Sequence, residues 1–197
     1  MTASLDTLFA LCAAVHRGEI EAMPAAAAAV EQEHGPGATR ELLRQLHLYF
    51  GFPRIVQALN ACAPALAAPT AEDAASAAPA QPREAGEQLF RTLYAEDADK
   101  VLPHLERLDP CFQSWILEHA YARVLARPRL DLATKERIAI ACLAATRCWK
   151  QWESHQAIAR RHGVSLAVLR QDLRAIEDWI GRASVQQAEQ ALDRLSS

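Results

Sequence analysis

The feature that most restricts the fold is the lack of any long stretch in which apolar and polar residues alternate, as they do along a half-buried β-strand. Alanine, leucine, arginine, glutamine and glutamate dominate instead, and glycine occurs only 7 times in 197 residues. The dominant residues favour helices because their side chains lose little freedom in a helix. The sequence therefore predicts an all-α protein.

Local stop and start signals divide the chain into helices. The stretch "RHGVS" places Gly163 where a left-handed residue commonly ends a helix, and Ser165 where the next helix needs an N-cap. In "GFPRIVQALN", Pro53 suits the first turn of a new helix. The helices predicted in this way span residues 4–17, 19–34, 39–50, 53–64, 85–95, 97–107, 110–126, 133–146, 149–162, 165–179 and 183–195.

The chain is predicted to contain two helical halves joined by a linker. Residues 65–84 are rich in alanine and proline and contain no aromatic residue, a composition typical of linkers. This assigns residues 1–64 to an N-terminal half and residues 85–197 to a C-terminal half. The segments "LCAAVHRGEIEAMPAAAAAVEQEHG" and "IACLAATRCWKQWESHQAIARRHG" are faintly similar, which indicates that the halves are related.

The charge and cysteine patterns exclude several classes of protein. The formal net charge is -3, and lysine and arginine are scattered, so no nucleic-acid partner is expected. No apolar run approaches the roughly 18 residues of a membrane span, and the N-terminus lacks the positive region of a signal peptide. The 5 cysteines do not form the pattern of a secreted disulfide framework. A cytoplasmic protein is therefore expected.

Chemistry is most strongly indicated around the turn between the predicted helices 133–146 and 149–162. Helices joined by so short a turn pack antiparallel. Glu136 and His155 lie at similar distances from that turn, so a carboxylate and an imidazole are expected to approach each other. Gln151 and His155 share a helix face because they are four residues apart.

Cys148 lies at the start of the second of these helices. A thiolate at a helix N-terminus is stabilised by unpaired backbone N–H groups and by the helix dipole. The candidate catalytic residues are therefore Glu136, Cys148 and His155, and the candidate substrate-binding residues are Gln151 and Trp152. Glu136, Cys148 and His155 also match metal ligands by type, but only Gln151 could act as a fourth ligand, so neither a metal nor a cofactor is predicted.

The segment "YARVLARPRLDLATKERIAIACLAATRCWKQWESHQAIARRHGVS" resembles the carboxymuconolactone decarboxylase and alkylhydroperoxidase D-like superfamily. The resemblance rests on the apolar helix that opens with Glu136, on the spacing of Cys148 and His155, and on the following Gly-Val-Ser. "LLRQLHLYFGFPRIVQALN" resembles the end of another such domain. The resemblance covers about residues 4–62 and 105–181 and implies an alkylhydroperoxidase D-like helical fold and a homo-oligomer.

The redox branch of this superfamily uses one Glu, two Cys and one His, and the resemblance matches Glu136, Cys148 and His155 to three of them. Gln151 occupies the position of the second cysteine. A cysteine pair reduces peroxide by thiolate attack followed by an internal disulfide. Without the second cysteine, Cys148 could still form a sulfenic acid, and Cys142 has no clear route to resolve it. The remaining redox possibility is a single-cysteine peroxidase.

The decarboxylase branch lacks the cysteine pair, and the resemblance implies removal of a carboxylate from an unsaturated lactone acid. His155 is the natural acid or base, since an unperturbed imidazole titrates near pH ~6.5. Glu136 could orient His155. A cation must hold the substrate carboxylate, and the sequence leaves several candidates open. These are Arg127, Arg129, Lys135, Arg147 and Lys150.

A protein without catalysis is the alternative. The loss of the second cysteine, and the lack of a visible site in the N-terminal half, favour a ligand-binding or assembly protein on the same scaffold. Retention of Cys148 and His155 at the family spacing favours an enzyme acting on a small carboxylated or peroxide substrate. Trp149 and Trp152 flank the motif, and either could close a pocket or fill it.

Overall fold

The computed structural model describes residues 4–69 and 79–194, and every regular element within these ranges is helical. The all-α prediction is confirmed. No helix of the described ranges is both long and apolar enough to span a bilayer. The helices are α1 (Asp6–Arg17), α2 (Met23–His34), α3 (Ala38–Cys62), α4 (Pro82–Tyr94), α5 (Ala98–Leu108), α6 (Pro110–Trp115), α7 (Leu132–Ala145), α8 (Trp149–Arg161), α9 (Leu166–Ala175), α10 (Glu177–Ile180) and α11 (Arg182–Asp193). A π-helix, Ile116–Leu125, continues α6, and short 3-10 turns span Ala63–Ala65 and Ala95–Asp97.

Some bounds differ from the predicted ones for local reasons. The predicted break between helices 39–50 and 53–64 is present within α3, because Gly51 is non-helical with φ at 77° and ψ at 163°. The predicted linker ends early, because Pro82 starts α4 from the first helical position. Residues 70–78 of that linker lie outside the described residues.

The described residues divide into two compact units. One unit combines the described parts of residues 1–67 and 130–197, and the other lies within residues 68–129. This division cuts the chain at different points from the predicted halves. The first unit contains α1 to α3 together with α7 to α11, so most of the N-terminal half shares a core with the part of the C-terminal half that carries the motif.

The core of the first unit is built from aliphatic side chains of both parts of the chain. Leu8 and Leu42 from the N-terminal helices and Ile138 from α7 are fully buried within it. Both parts follow the same order of elements, with two helices joined by a short turn, a glycine, and a third helix. The relationship between the two halves stays a prediction.

The second unit depends on a close approach of α4 to the π-helix. A Cβ atom added at Gly86 would lie 1.9 Å from the carbonyl oxygen of Leu117, so only glycine fits there without displacing the backbone. Beside this approach, the ring of Phe90 stacks on Tyr94 with 4.1 Å between ring centroids and lies 4.9 Å from the ring of Tyr121.

A tight turn joins α7 to α8. Arg147 has a positive φ of 59°, and the N–H of Cys148 donates to the carbonyl of Leu143 at 2.9 Å. This geometry usually takes glycine at the left-handed position, because a side chain there costs about 1–2 kcal/mol. The turn therefore contains a strained arginine directly before Cys148.

Replacing Arg147 with glycine is expected to raise the free energy of unfolding by about 1 kcal/mol, since the relief of strain exceeds the added entropy of the unfolded chain. Urea denaturation measures the change. Arg160→Gly is the matched control, because Arg160 lies exposed within α8 and the same change there should cost about 1 kcal/mol. Equal destabilisation by both substitutions would show that the turn is not strained.

Candidate functional site

The imidazole of His155 and the carboxylate of Glu136 meet between α8 and α7. The distance between His155 Nδ1 and Glu136 Oε2 is 2.7 Å. Asp131 caps the start of α7 by accepting a hydrogen bond from the N–H of Thr134 at 2.7 Å, which places Glu136 in the second turn of that helix. The short turn at the other end of α7 then brings α8 back alongside it.

This contact fixes the proton on one side of the His155 ring. A carboxylate only accepts hydrogen bonds, so His155 Nδ1 donates to Glu136. His155 Nε2 makes no hydrogen bond to any residue in the described ranges. The Glu136 side chain is 3% exposed and the His155 side chain 14% exposed, so part of the ring stays accessible while the carboxylate does not. The arrangement can exchange a proton at Nε2.

Glu136 is the middle residue of three consecutive buried charges on α7. The ammonium Nζ of Lys135 lies 3.0 Å from Oε1 of Glu41 on α3. Arg137 makes a bidentate contact with Asp172 on α9, with 2.7 Å for both Nε–Oδ2 and Nη2–Oδ1. The three residues therefore pair with three different helices, and we call them the charged triplet.

In the buried pair of Arg137 and Asp172, the pKa of the carboxyl group is shifted. Burial raises the pKa of Asp172 above its ordinary value, and the opposing effect of the Arg137 guanidinium and its hydrogen bonds does not cancel it. The negative charge of Asp6 also raises this pKa. Ionised Asp172 therefore depends on Arg137 for compensation.

Cys148 occupies the N-cap position of α8 and is exposed, but its side chain does not cap the helix. Its Sγ lies 3.6 Å from the hydroxyl of Thr146 and 3.8 Å from the Thr146 carbonyl oxygen. The described side-chain contacts of Cys148 thus involve Thr146, and those of His155 involve Glu136. The structure brings Glu136 and His155 into contact and leaves Cys148 outside that hydrogen bond.

Cys142 cannot readily act as a second redox thiol. It is fully buried, and burial together with a hydrogen bond to Cys12 raises its pKa well above the ordinary value. Burial also raises the pKa of Cys62 to about 11. Thiols held protonated in this way are poor nucleophiles. Exposed sulfur among the described residues is limited to Cys111 and Cys148.

The two residues predicted to bind a substrate lie in different surroundings. Gln151 is exposed on α8. Trp152 is 1% exposed and packs within the core of the first unit, and its contact with a substrate stays a prediction. Trp149 lies at the edge of the same core, and its ring makes an edge-to-face contact with that of Trp152, at 6.2 Å between centroids. Trp152 therefore fills space beside the motif.

The structure narrows the choice of cation for a substrate carboxylate. Lys135 is buried and committed to Glu41. Arg127 and Arg129 belong to the second compact unit. Arg147 and Lys150 are exposed and lie immediately on either side of Cys148 and Trp149 in the sequence. Of the predicted cations within the first unit, Arg147 and Lys150 are therefore the exposed ones, and the candidacy of Arg127 and Arg129 stays a prediction.

Three grooves in the described ranges are lined by residues other than those of the motif. The groove between α1 and the segment of α9 and α10 has a volume of about 610 Å³ and is lined by Phe9, Arg174 and Trp179 among others. The other two, of about 620 and 210 Å³, are also lined without Glu136, Cys148 or His155. No three His, Cys, Asp or Glu side chains within residues 4–69 and 79–194 are grouped to hold a metal ion.

Sequence reasoning missed Glu41, Gln45 and Asp172. Each lies far along the chain from its partner on α7, so no local pattern marks it. A signal was nevertheless present in α7, because "IAIACLAA" places apolar residues on every face of the helix. A helix buried on all sides needs buried partners for any charges it carries. The charged triplet therefore implied three buried polar partners elsewhere, and of these only His155 was predicted.

A comparison of the sequence with known protein families found a match. The sequence model of the carboxymuconolactone decarboxylase family matches residues 110–194, which include α7, α8 and the contact between Glu136 and His155. No curated protein matches the chain.

Proposed function

We propose that the protein is an acid–base enzyme that transfers a proton to carbon in a small carboxylated substrate, and the match of the carboxymuconolactone decarboxylase family model to residues 110–194 supports this proposal. The hydrogen bond of 2.7 Å between Glu136 and His155 carries this proposal. An imidazole held by a carboxylate keeps one tautomer and orientation, and the carboxylate stabilises the ring when it is charged. His155 Nε2 then serves as the proton-transfer atom.

The proposed reaction is the decarboxylation of an unsaturated lactone acid. The bond between carbon and the carboxylate breaks, CO₂ leaves, and the electron pair passes into the unsaturated lactone. Protonated His155 gives its Nε2 proton to carbon, and Glu136 balances the charge of the imidazolium beforehand. A proton from water restores His155. Arg147 or Lys150 holds the substrate carboxylate until CO₂ leaves.

A protein that binds a ligand without catalysis is the second candidate. Trp152 fills space beside the motif, and three grooves of the described ranges are lined by other residues. This favours a scaffold in which the contact between Glu136 and His155 stabilises two helices. A single-cysteine peroxidase has less support, because the contacts of Cys148 involve Thr146 rather than His155.

The test is a panel of unsaturated lactone acids incubated with the wild-type protein and with Cys148→Ser. CO₂ release and incorporation of solvent deuterium at carbon are measured for each compound. We expect turnover by both proteins within about threefold of each other, since proton transfer at an imidazole does not need the thiol.

Two other results would contradict the proposal. Peroxide consumption by the wild type that Cys148→Ser abolishes, without any CO₂ release, would establish the peroxidase. Binding of a lactone acid detected by NMR, with neither CO₂ release nor deuterium incorporation, would establish the binding protein.

A further inference from the structure

Helix α3, in the N-terminal half, contacts α7 at the residue before Glu136. The side-chain amide Nε2 of Gln45 donates a hydrogen bond to the backbone carbonyl of Lys135 at 2.8 Å. That carbonyl carbon is bonded to the backbone nitrogen of Glu136. Gln45 therefore holds the peptide group from which the Glu136 side chain extends.

Glu41 lies one turn earlier on the same side of α3 and makes two contacts with the region that starts α7. Its Oε1 atom accepts a hydrogen bond from the backbone N–H of Leu130 at 2.9 Å and lies 3.0 Å from Nζ of Lys135. Glu41 is 2% exposed and Gln45 1% exposed. Two buried polar side chains thus hold α7 on both sides of its first turn.

Gln45 has a feature that packing alone does not account for. Its Oε1 atom is buried and has no hydrogen-bond partner. An unpaired buried acceptor destabilises the folded state, so an apolar residue of similar volume would be at least as favourable for stability. The retained amide contributes a donor aimed at the peptide group before Glu136.

We infer that Gln45 and Glu41 are positioning residues for the contact between Glu136 and His155, so the N-terminal half forms part of the candidate site. A rotation of α7 by one residue would turn Glu136 through about 100° and away from α8. The contacts from α3 resist that rotation. The inference rests on the proposed function for its catalytic consequence, but the positioning itself can be measured without a substrate.

The charged groups near the His155 ring each have a described partner or are exposed. Glu136 faces its Nδ1 atom from α7, and the neighbouring charges of the triplet are paired with Glu41 from α3 and Asp172 from α9. On α8 itself, the charged residues Lys150, Glu153, Arg160 and Arg161 are exposed. Glu136 is therefore the charged group that contacts the ring.

The experiment uses ¹⁵N chemical shifts of the His155 ring, which report the fractions of the two neutral tautomers. Spectra are recorded at about pH 9, where imidazoles are neutral, and His155→Asn identifies the signals. The wild type should hold the proton on Nδ1, and Glu136→Ala gives the reference for a ring that has lost its acceptor. Gln45→Met removes the donor and the unpaired acceptor at nearly constant volume. We expect it to raise the fraction with the proton on Nε2 at least threefold while the midpoint of thermal unfolding stays constant or rises.

Thr39→Val is the matched control, because Thr39 is a buried polar residue of α3 whose hydroxyl donates to the carbonyl of Ala27 and not to α7. It should leave the tautomer fractions unchanged. Two further variants test the contacts of Glu41, namely Glu41→Gln and the double variant Glu41→Leu with Lys135→Met. We expect both to shift the tautomer fractions in the same direction as Gln45→Met. If Gln45→Met does not fold, these two variants take its place in the test.

Wild-type tautomer fractions in the folded variants at 41 and 45 would overturn the inference. An equal shift in Thr39→Val would also overturn it, because any loosening of α3 would then have the same effect. Neither result depends on whether the protein decarboxylates anything, so failure of this inference and failure of the proposed function are distinguishable.

Discussion

Replacement of His155 by glutamine is expected to lower kcat for a lactone acid by about 10²–10⁴-fold, the usual contribution of a general acid or base. The substrate carboxylate is held by other residues in the proposed site, so KM should change little. Steady-state kinetics on the compound with the fastest CO₂ release would measure both constants, and circular dichroism would show whether the helices are retained.

Glu136→Gln is the matched substitution on the other side of the contact. Its amide oxygen can still accept from Nδ1, but it lacks the charge that stabilises an imidazolium. We expect a loss of about 10–100-fold in kcat, the range typical of partners that orient a functional histidine. If His155→Gln turns over as fast as the wild type, Nε2 is not the atom that transfers the proton.

The largest expected effect on stability comes from Arg137. Arg137→Met should lower the free energy of unfolding by about 3–5 kcal/mol, because it leaves the buried carboxylate of Asp172 without its partner. That is a large share of the roughly 5–15 kcal/mol of a typical domain. Arg137→Met combined with Asp172→Leu should recover most of the loss, since a buried ion pair can often be exchanged for apolar residues without cost. Urea denaturation of the three proteins measures the effect.

The loss in Arg137→Met should depend on pH in a defined direction. Burial raises the pKa of Asp172 in the folded state, and removal of the guanidinium raises it further. The folded state then binds a proton that the unfolded state releases, so acidification stabilises the folded state relative to the unfolded state. The deficit should shrink as the pH falls from neutral through the folded-state pKa towards the unfolded value near ~3.9. A deficit that grows on acidification would show that Asp172 is not the uncompensated charge.

The motif helices could be predicted from sequence because their signals are local. Residues 133–146 and 149–162 were predicted as helices, and α7 and α8 span Leu132–Ala145 and Trp149–Arg161. The expected approach of Glu136 and His155 followed from their similar distances to the turn. Antiparallel packing across a short connection leaves few other arrangements.

The side chains that hold α7 in place beside the motif could not be predicted, because their contacts join distant parts of the chain. Gln45 lies 90 residues from its acceptor on Lys135, and Asp172 lies 35 residues from Arg137. In sequence, these side chains are typical of solvent-exposed helix faces. The arrangement in the first compact unit, in which α1 to α3 pack with α7, is likewise a tertiary property that linker composition does not reveal.

The charged triplet on α7 has a consequence for how this sequence can change during evolution. A single neutral substitution at residue 135, 136 or 137 would leave a buried or partly buried polar side chain on another helix without its partner. Substitutions are therefore tolerated most easily when both members of a pair change together. In homologous sequences, we expect correlated substitutions at residues 41 and 135, at 136 and 155, and at 137 and 172. Substitutions in α3, α8 and α9 would then depend on the residues present in α7.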